Sequence, residues 1–398
     1  MALALRCLGV AVGVLGVAAQ RVRVIAGGFV AFALLVLAPS FIGERSGRIA
    51  LVAVLVAMVA AALSYAVRFR TNRFIGRASP AVIPAVMLVY WLAVLMLGYE
   101  GVAGSLVLYF LAITAAILLF SFDPAVAASA LKVYAMAISI LGYACLILTP
   151  LIVAAPQSGN TITSSDSARS LFRFIEWGPL VITNGFGPLG LLRLSQLGGE
   201  PGTWAMMAGL GVASASVTFV GTLRVWVIVG CVVGLLAAQS FGAWLAAIVS
   251  LLGVGLIQLI RGRVKLGGFL AIVLLAAVAY PLATTLVDGK IDQNTSSLTE
   301  RGIGFIGGVT ASTGDQQRIN LLAAASVDGV LVILPLLGVA VFMILARHST
   351  TALMLGIFNG TMLLLVQPST MHPGTWLGMS LVACVVAPRQ LEKHNAIS

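Results

Sequence analysis

Runs of about 20 apolar residues recur from one end of this chain to the other. That is the length a helix needs to cross the roughly 30 Å hydrocarbon layer of a bilayer. The runs fall at about 24–42, 48–67, 80–98, 101–121, 131–153, 204–221, 224–239, 242–260, 266–286, 319–346, 350–366 and 373–388. Of the residues, 60% are hydrophobic and 9% are charged, against roughly a quarter charged in a soluble domain. No soluble core could bury so much apolar surface. The expected fold is therefore all-α: a polytopic membrane bundle of about 12 transmembrane helices, with residues 1–398 forming one integral membrane domain. The N-terminal stretch 2–19 is short and is followed at once by Arg21 and Arg23. It reads as an interfacial segment or an extra first helix rather than a cleaved signal.

Where the charges sit sets the expected topology. The net charge of +11 would suggest nucleic acid in a soluble protein. Here the cations stand in short groups between apolar runs, which the positive-inside rule explains, so no nucleic-acid partner is expected. One set of connections carries Arg68, Arg70, Arg73 and Arg77, then Lys132, Arg224, Arg261, Arg263, Lys265, Arg347 and Arg389. This set is assigned to the cytoplasm. The two long connections, 154–203 and 287–318, then become large outer loops, and loops of that length tend to carry function.

Several chemistries are missing from the sequence. It contains no P-loop, no dinucleotide fingerprint and no HExxH. Cys7, Cys145, Cys231 and Cys384 lie far apart inside apolar runs, as small hydrophobes do, and no metal spacing is present. What remains are polar residues where the outer loops meet helices. In "RLSQLGGEPGTW", Arg193 and Glu200 stand before a span, and Pro201 suits the first helical turn. Glu200 reads either as an acid complementing the helix dipole or as a carboxylate that accepts a proton. In "STGDQQRINLLAAASVDGVLVILPLLG", Arg318 and Asn320 stand at the loop end, with Asp328 further in. An acid at membrane depth is either structurally paired or functional. Arg301 lies in the Gly-rich "LTERGIGFIGG". Arginine holds phosphate oxygens through its planar fork of donors, so Arg193, Arg301 and Arg318 suggest an anionic lipid headgroup. His372 and the stretch "AQSFGAW" at Ser240 also face the outer side in this scheme.

These segments, in this order, resemble the O-antigen polymerase and ligase superfamily of bacterial envelope glycosyltransferases. "RLSQLGGEPGTW" looks like the family's Arg–Gly–Glu-Pro-Gly stretch before a helix. "AAQSFGAWLAAIVSLL" is similar to its Ser-Gly helix start, and "RINLLAAASVDGVLVILPLLG" to its His/Arg–Asn, acid, Gly-Ile-Leu helix. The resemblance covers roughly 165–346. It implies a GT-C-like helical bundle with two large extracytoplasmic loops in the bacterial cytoplasmic membrane. The implied reaction transfers a glycan from undecaprenyl pyrophosphate to a sugar hydroxyl at the outer face, inverting, with no metal and no cofactor. Glu200 and Asp328 would be the catalytic carboxylates, and Arg193, Arg301, Arg318 and Asn320 the pyrophosphate and substrate contacts. Membrane lipid, a chain-length regulator and a flippase are the expected partners. Ligases of this group carry a histidine where Arg318 and Ile319 stand, which favours a polymerase. The alternatives are a ligase-type glycan transferase and, from another class, a secondary transporter or flippase.

Overall fold

The computed structural model describes residues 24–28, 30–31, 35, 82–96, 124–154, 160–162, 174–177, 180–186, 192–194, 201–271, 273–274, 321, 329–366 and 373–395. Eight helices are labelled among them. These are α1 (Val82–Met96), α2 (Pro124–Ala154), α3 (Pro201–Thr218), α4 (Gly221–Ala237), α5 (Phe241–Ile260), α6 (Ile333–Ala346), α7 (Thr350–Thr361) and α8 (Pro373–Asn395). A 3₁₀ turn, Gly329–Val332, leads into α6, and a π-helical turn, Met362–Val366, extends α7. Residues 124–151 and 242–260 make two helices long and apolar enough to cross a membrane. Ile140, Leu146, Ile147 and Leu151 of α2 and Leu256 and Ile260 of α5 are exposed. Apolar residues strung along a helix surface in this way are out of place in water.

Local chemistry sets the helix ends. Pro124, Pro201 and Pro373 each open a helix, where the absent N–H costs nothing and the fixed φ is already helical. Ser349 caps α7 by accepting from the Ala352 amide at 3.3 Å. At the end of α5, Gly262 has a φ of 65°. Its amide donates to Leu259 O and the next amide, Arg263, reaches back to Gln258 O. This is a Schellman stop, which needs a left-handed residue that only glycine adopts freely.

Helices α2, α3 and α4 form the tightest part of the core. Tyr134 Oη of α2 donates to Met207 O of α3 at 3.0 Å. Four residues on in both helices, a Cβ added at Gly211 would lie 3.1 Å from Ile138 Cγ2. Against α4, Ala135 meets Cys231, Ser139 meets Gly230 and Gly142 meets Gly234, while Tyr143 Oη donates to Trp226 O at 2.8 Å. Small residues permit this approach, since a Cβ at Gly142 would run into the carbonyl oxygen of Gly230.

Between α2 and α3 in the sequence lies a four-stranded antiparallel sheet, an addition to the all-helical expectation. Its strands β1 (Asn160–Ile162), β2 (Phe174–Trp177), β3 (Leu180–Phe186) and β4 (Leu192–Leu194) are ordered β1-β2-β3-β4. The register aligns Ile162, Phe174, Thr183 and Arg193 in one row and Thr161, Ile175, Ile182 and Leu194 in the next. β3 contacts α2 and β4 contacts α3.

The C-terminal helices close the bundle. α5 and α7 pack antiparallel, with Gly253 against Ile357 and Gln258 Nε2 bonded to Thr350 Oγ1 at 3.2 Å. α6 and α7 form a hairpin, with Gly356 against Phe342 and Gly360 against Val339. α8 joins through Trp376 on Gly338, while Leu210 of α3 fills the space at Gly378.

Candidate functional site

Several helix ends gather at the Pro201 end of the bundle. α3 begins there. α4 ends there, since Trp204 Nε1 donates to Gly234 O at 2.8 Å. The short turn 238–240 then starts α5 at the same end. α7 runs back towards it and α6 leaves from it. The 3₁₀ turn at Gly329 and the π turn Met362–Val366 therefore belong to this end as well.

The sequence candidates stand in the following relation to these elements. Glu200 immediately precedes α3 and Asp328 immediately precedes Gly329. Both residues lie outside the described residues, as do Arg301, Arg318, Asn320 and His372. Nevertheless, the elements that follow the two acids start at one end of the bundle. Arg193 is in β4, paired with Thr183. β4 contacts α3, and six residues, 195–200, join the two. Ser240 is buried at the N-cap of α5, and its side chain does not cap the helix.

This end is unusually polar for a membrane-type core. Thr203, Gln239 and Ser240 are all buried. Gln239 has a φ of 44°, the one non-glycine residue with positive φ among those described. Such a conformation costs of order 1–3 kcal/mol and persists only where the surroundings impose it. Trp244, in the first turn of α5, and Trp376, in the first turn of α8, each bury an indole N–H with no partner among the described residues. An unpaired buried donor costs about 1–3 kcal/mol. Deeper in the bundle, Ser214 Oγ, Asn359 Oδ1 and Ser380 Oγ are buried in the same state. Unmet donors and acceptors on converging helices are what a polar ligand would complete.

Sequence reasoning did not single out Gln239, Trp244 or Trp376. The signal for the two tryptophans was their place in a first helical turn, just beyond a loop on the same side as Glu200. Among the described residues no group of His, Cys, Asp or Glu could hold a metal ion. The Ser240 helix start belongs to the Pro201 end. No family model, no curated protein and no solved structure matches the chain.

Proposed function

We propose that this chain is a polysaccharide polymerase of the O-antigen polymerase type, held in the bacterial cytoplasmic membrane with its site at the Pro201 end. One observation carries the reading. The elements that directly follow Glu200 and Asp328 start at the same end of the bundle as the buried turn Gln239–Ser240. The indole N–H groups of Trp244 and Trp376, without a partner among the described residues, support it, since a glycan offers both hydroxyl acceptors and an apolar face.

In this reading the acceptor hydroxyl oxygen attacks the anomeric carbon of the incoming repeat unit. The bond from that carbon to the pyrophosphate oxygen breaks, and undecaprenyl pyrophosphate leaves with the electron pair. Glu200 takes the hydroxyl proton, with Asp328 as the second carboxylate. Arg193, Arg301 and Arg318 stabilise the negative charge growing on the leaving group, and Asn320 orients it. Fixed cations in a site of low dielectric act most strongly where charge develops in the transition state. Direct displacement inverts the anomeric centre.

The test is glycan analysis of a strain lacking the gene, complemented with variants. The deletion is expected to accumulate single repeat units on the carrier lipid. Arg318→Ala and Glu200→Ala are expected to reach the membrane at normal levels and to make no long chains. Normal chain lengths with either variant would remove that residue from the mechanism. A deletion strain with an unchanged polymer ladder would end the reading.

A further inference from the structure

The opposite end of the bundle carries a second arrangement. The turn after α5 and the turn between α6 and α7 are bound to each other. Arg261 donates from Nη1 to Arg347 O at 2.7 Å, and Gln258 donates to Thr350 at 3.2 Å. The link brings Arg261, Arg263, Lys265 and Arg347 to one corner, and all four are exposed. No Asp or Glu occurs in 241–280 or 329–360 to balance them. Arg261 and Arg347 are also the C-caps of α5 and α6. Each helix C-terminus offsets about half a charge, so roughly three positive charges remain.

The flanks of the corner are apolar and open. Ile260 is 77% exposed and Ile344 62% on one side, and Leu266 60% and Leu274 66% on the other. Leu270 and Val273 complete the second flank. A soluble anion would satisfy the cations and leave both flanks bare. A lipid with a charged head and two apolar tails matches both features at once.

We propose that this corner binds an anionic glycerophospholipid. The phosphate lies among Arg263, Lys265 and Arg347, and the acyl chains lie along Leu266–Leu274 and beside Ile260 and Ile344. The proposal rests on the membrane location given above and is independent of the polymerase chemistry. Arg261 is already committed to Arg347 O and holds the two turns together, so it is a positioning residue here.

The test uses the full-length protein purified in mild detergent and titrated with phosphatidylglycerol or phosphatidylcholine, with bound lipid read by native mass spectrometry. The wild type is expected to prefer phosphatidylglycerol. Each basic residue near a membrane surface contributes about fivefold, so the double variant R263Q/K265Q should weaken phosphatidylglycerol binding about thirtyfold. The double variant K132Q/R224Q removes the same charge elsewhere and should change it by less than about threefold. Equal weakening by both pairs, or no lipid preference in the wild type, would overturn the site. Alkaline extraction of membranes separates this from failure of the membrane reading. A wild-type chain washed into the soluble fraction would sink the membrane location itself, whereas one that stays while showing no preference sinks only the site.

Discussion

Gly230 is where the packing of α2 against α4 can be broken with one methyl group. A Cβ there would stand 2.7 Å from Ser139 O and 2.8 Å from Tyr143 Cε2, and would also meet Ser139 Oγ. The serine hydroxyl can rotate away. The Ser139 carbonyl belongs to the backbone of α2 and cannot, so Gly230→Ala has to push the helices apart. Overpacking of this kind costs about 1–3 kcal/mol. Separation also stretches the bond from Tyr143 Oη to Trp226 O, worth about 1 kcal/mol between membrane helices. The expected loss is about 2–4 kcal/mol, read by reversible unfolding of the purified protein in mixed micelles. Gly267→Ala is the matched control, because a Cβ there meets nothing within 4 Å. If Gly230→Ala unfolds with the wild type, or the two variants fall together, the close approach of α2 and α4 is wrong.

Two further outcomes follow from the same core. Trp204→Phe keeps most of a fully buried ring but loses the bond to Gly234 O, and should cost about 1–2 kcal/mol in the same assay; a loss below about 0.3 kcal/mol would mean that the bond contributes nothing. On a cysteine-free background, Ile138→Cys with Gly211→Cys should cross-link, because a Cβ added at Gly211 would lie 3.4 Å from Ile138 Cβ, close to the separation a disulfide needs. Failure of this pair to cross-link would overturn the packing of α2 on α3.

Hydropathy was enough to find most of the helices. The runs read at 80–98, 242–260 and 350–366 match α1, α5 and α7 with its π turn to within a few residues. α2 starts earlier than the expected 131 because Pro124 opens it and the Ala-rich stretch behind favours helix. Two features were not legible. The packing of α2 on α3 depends on contacts between distant residues such as Tyr134 and Met207. The four-stranded sheet is built from strands as short as three residues, too brief for alternation to register. The close contact of α2 with α4 did leave a trace, since Gly230 and Gly234 form a small-xxx-small pair. For the candidate site, the sequence located where loops meet helices. It could not tell which of those junctions share an end, because that follows from packing.

The bond between Tyr143 and Trp226 joins residues 83 positions apart in the chain. Ribosomes add about 5–20 residues per second, so the second partner emerges about 4–17 s after the first. For that interval the face of α2 that will close on α4 has lipid, earlier helices or α3 beside it. The tightest contact in the bundle thus waits on the synthesis of α4. During those seconds a competing helix, or a membrane chaperone that shields α2, has its best opportunity to act.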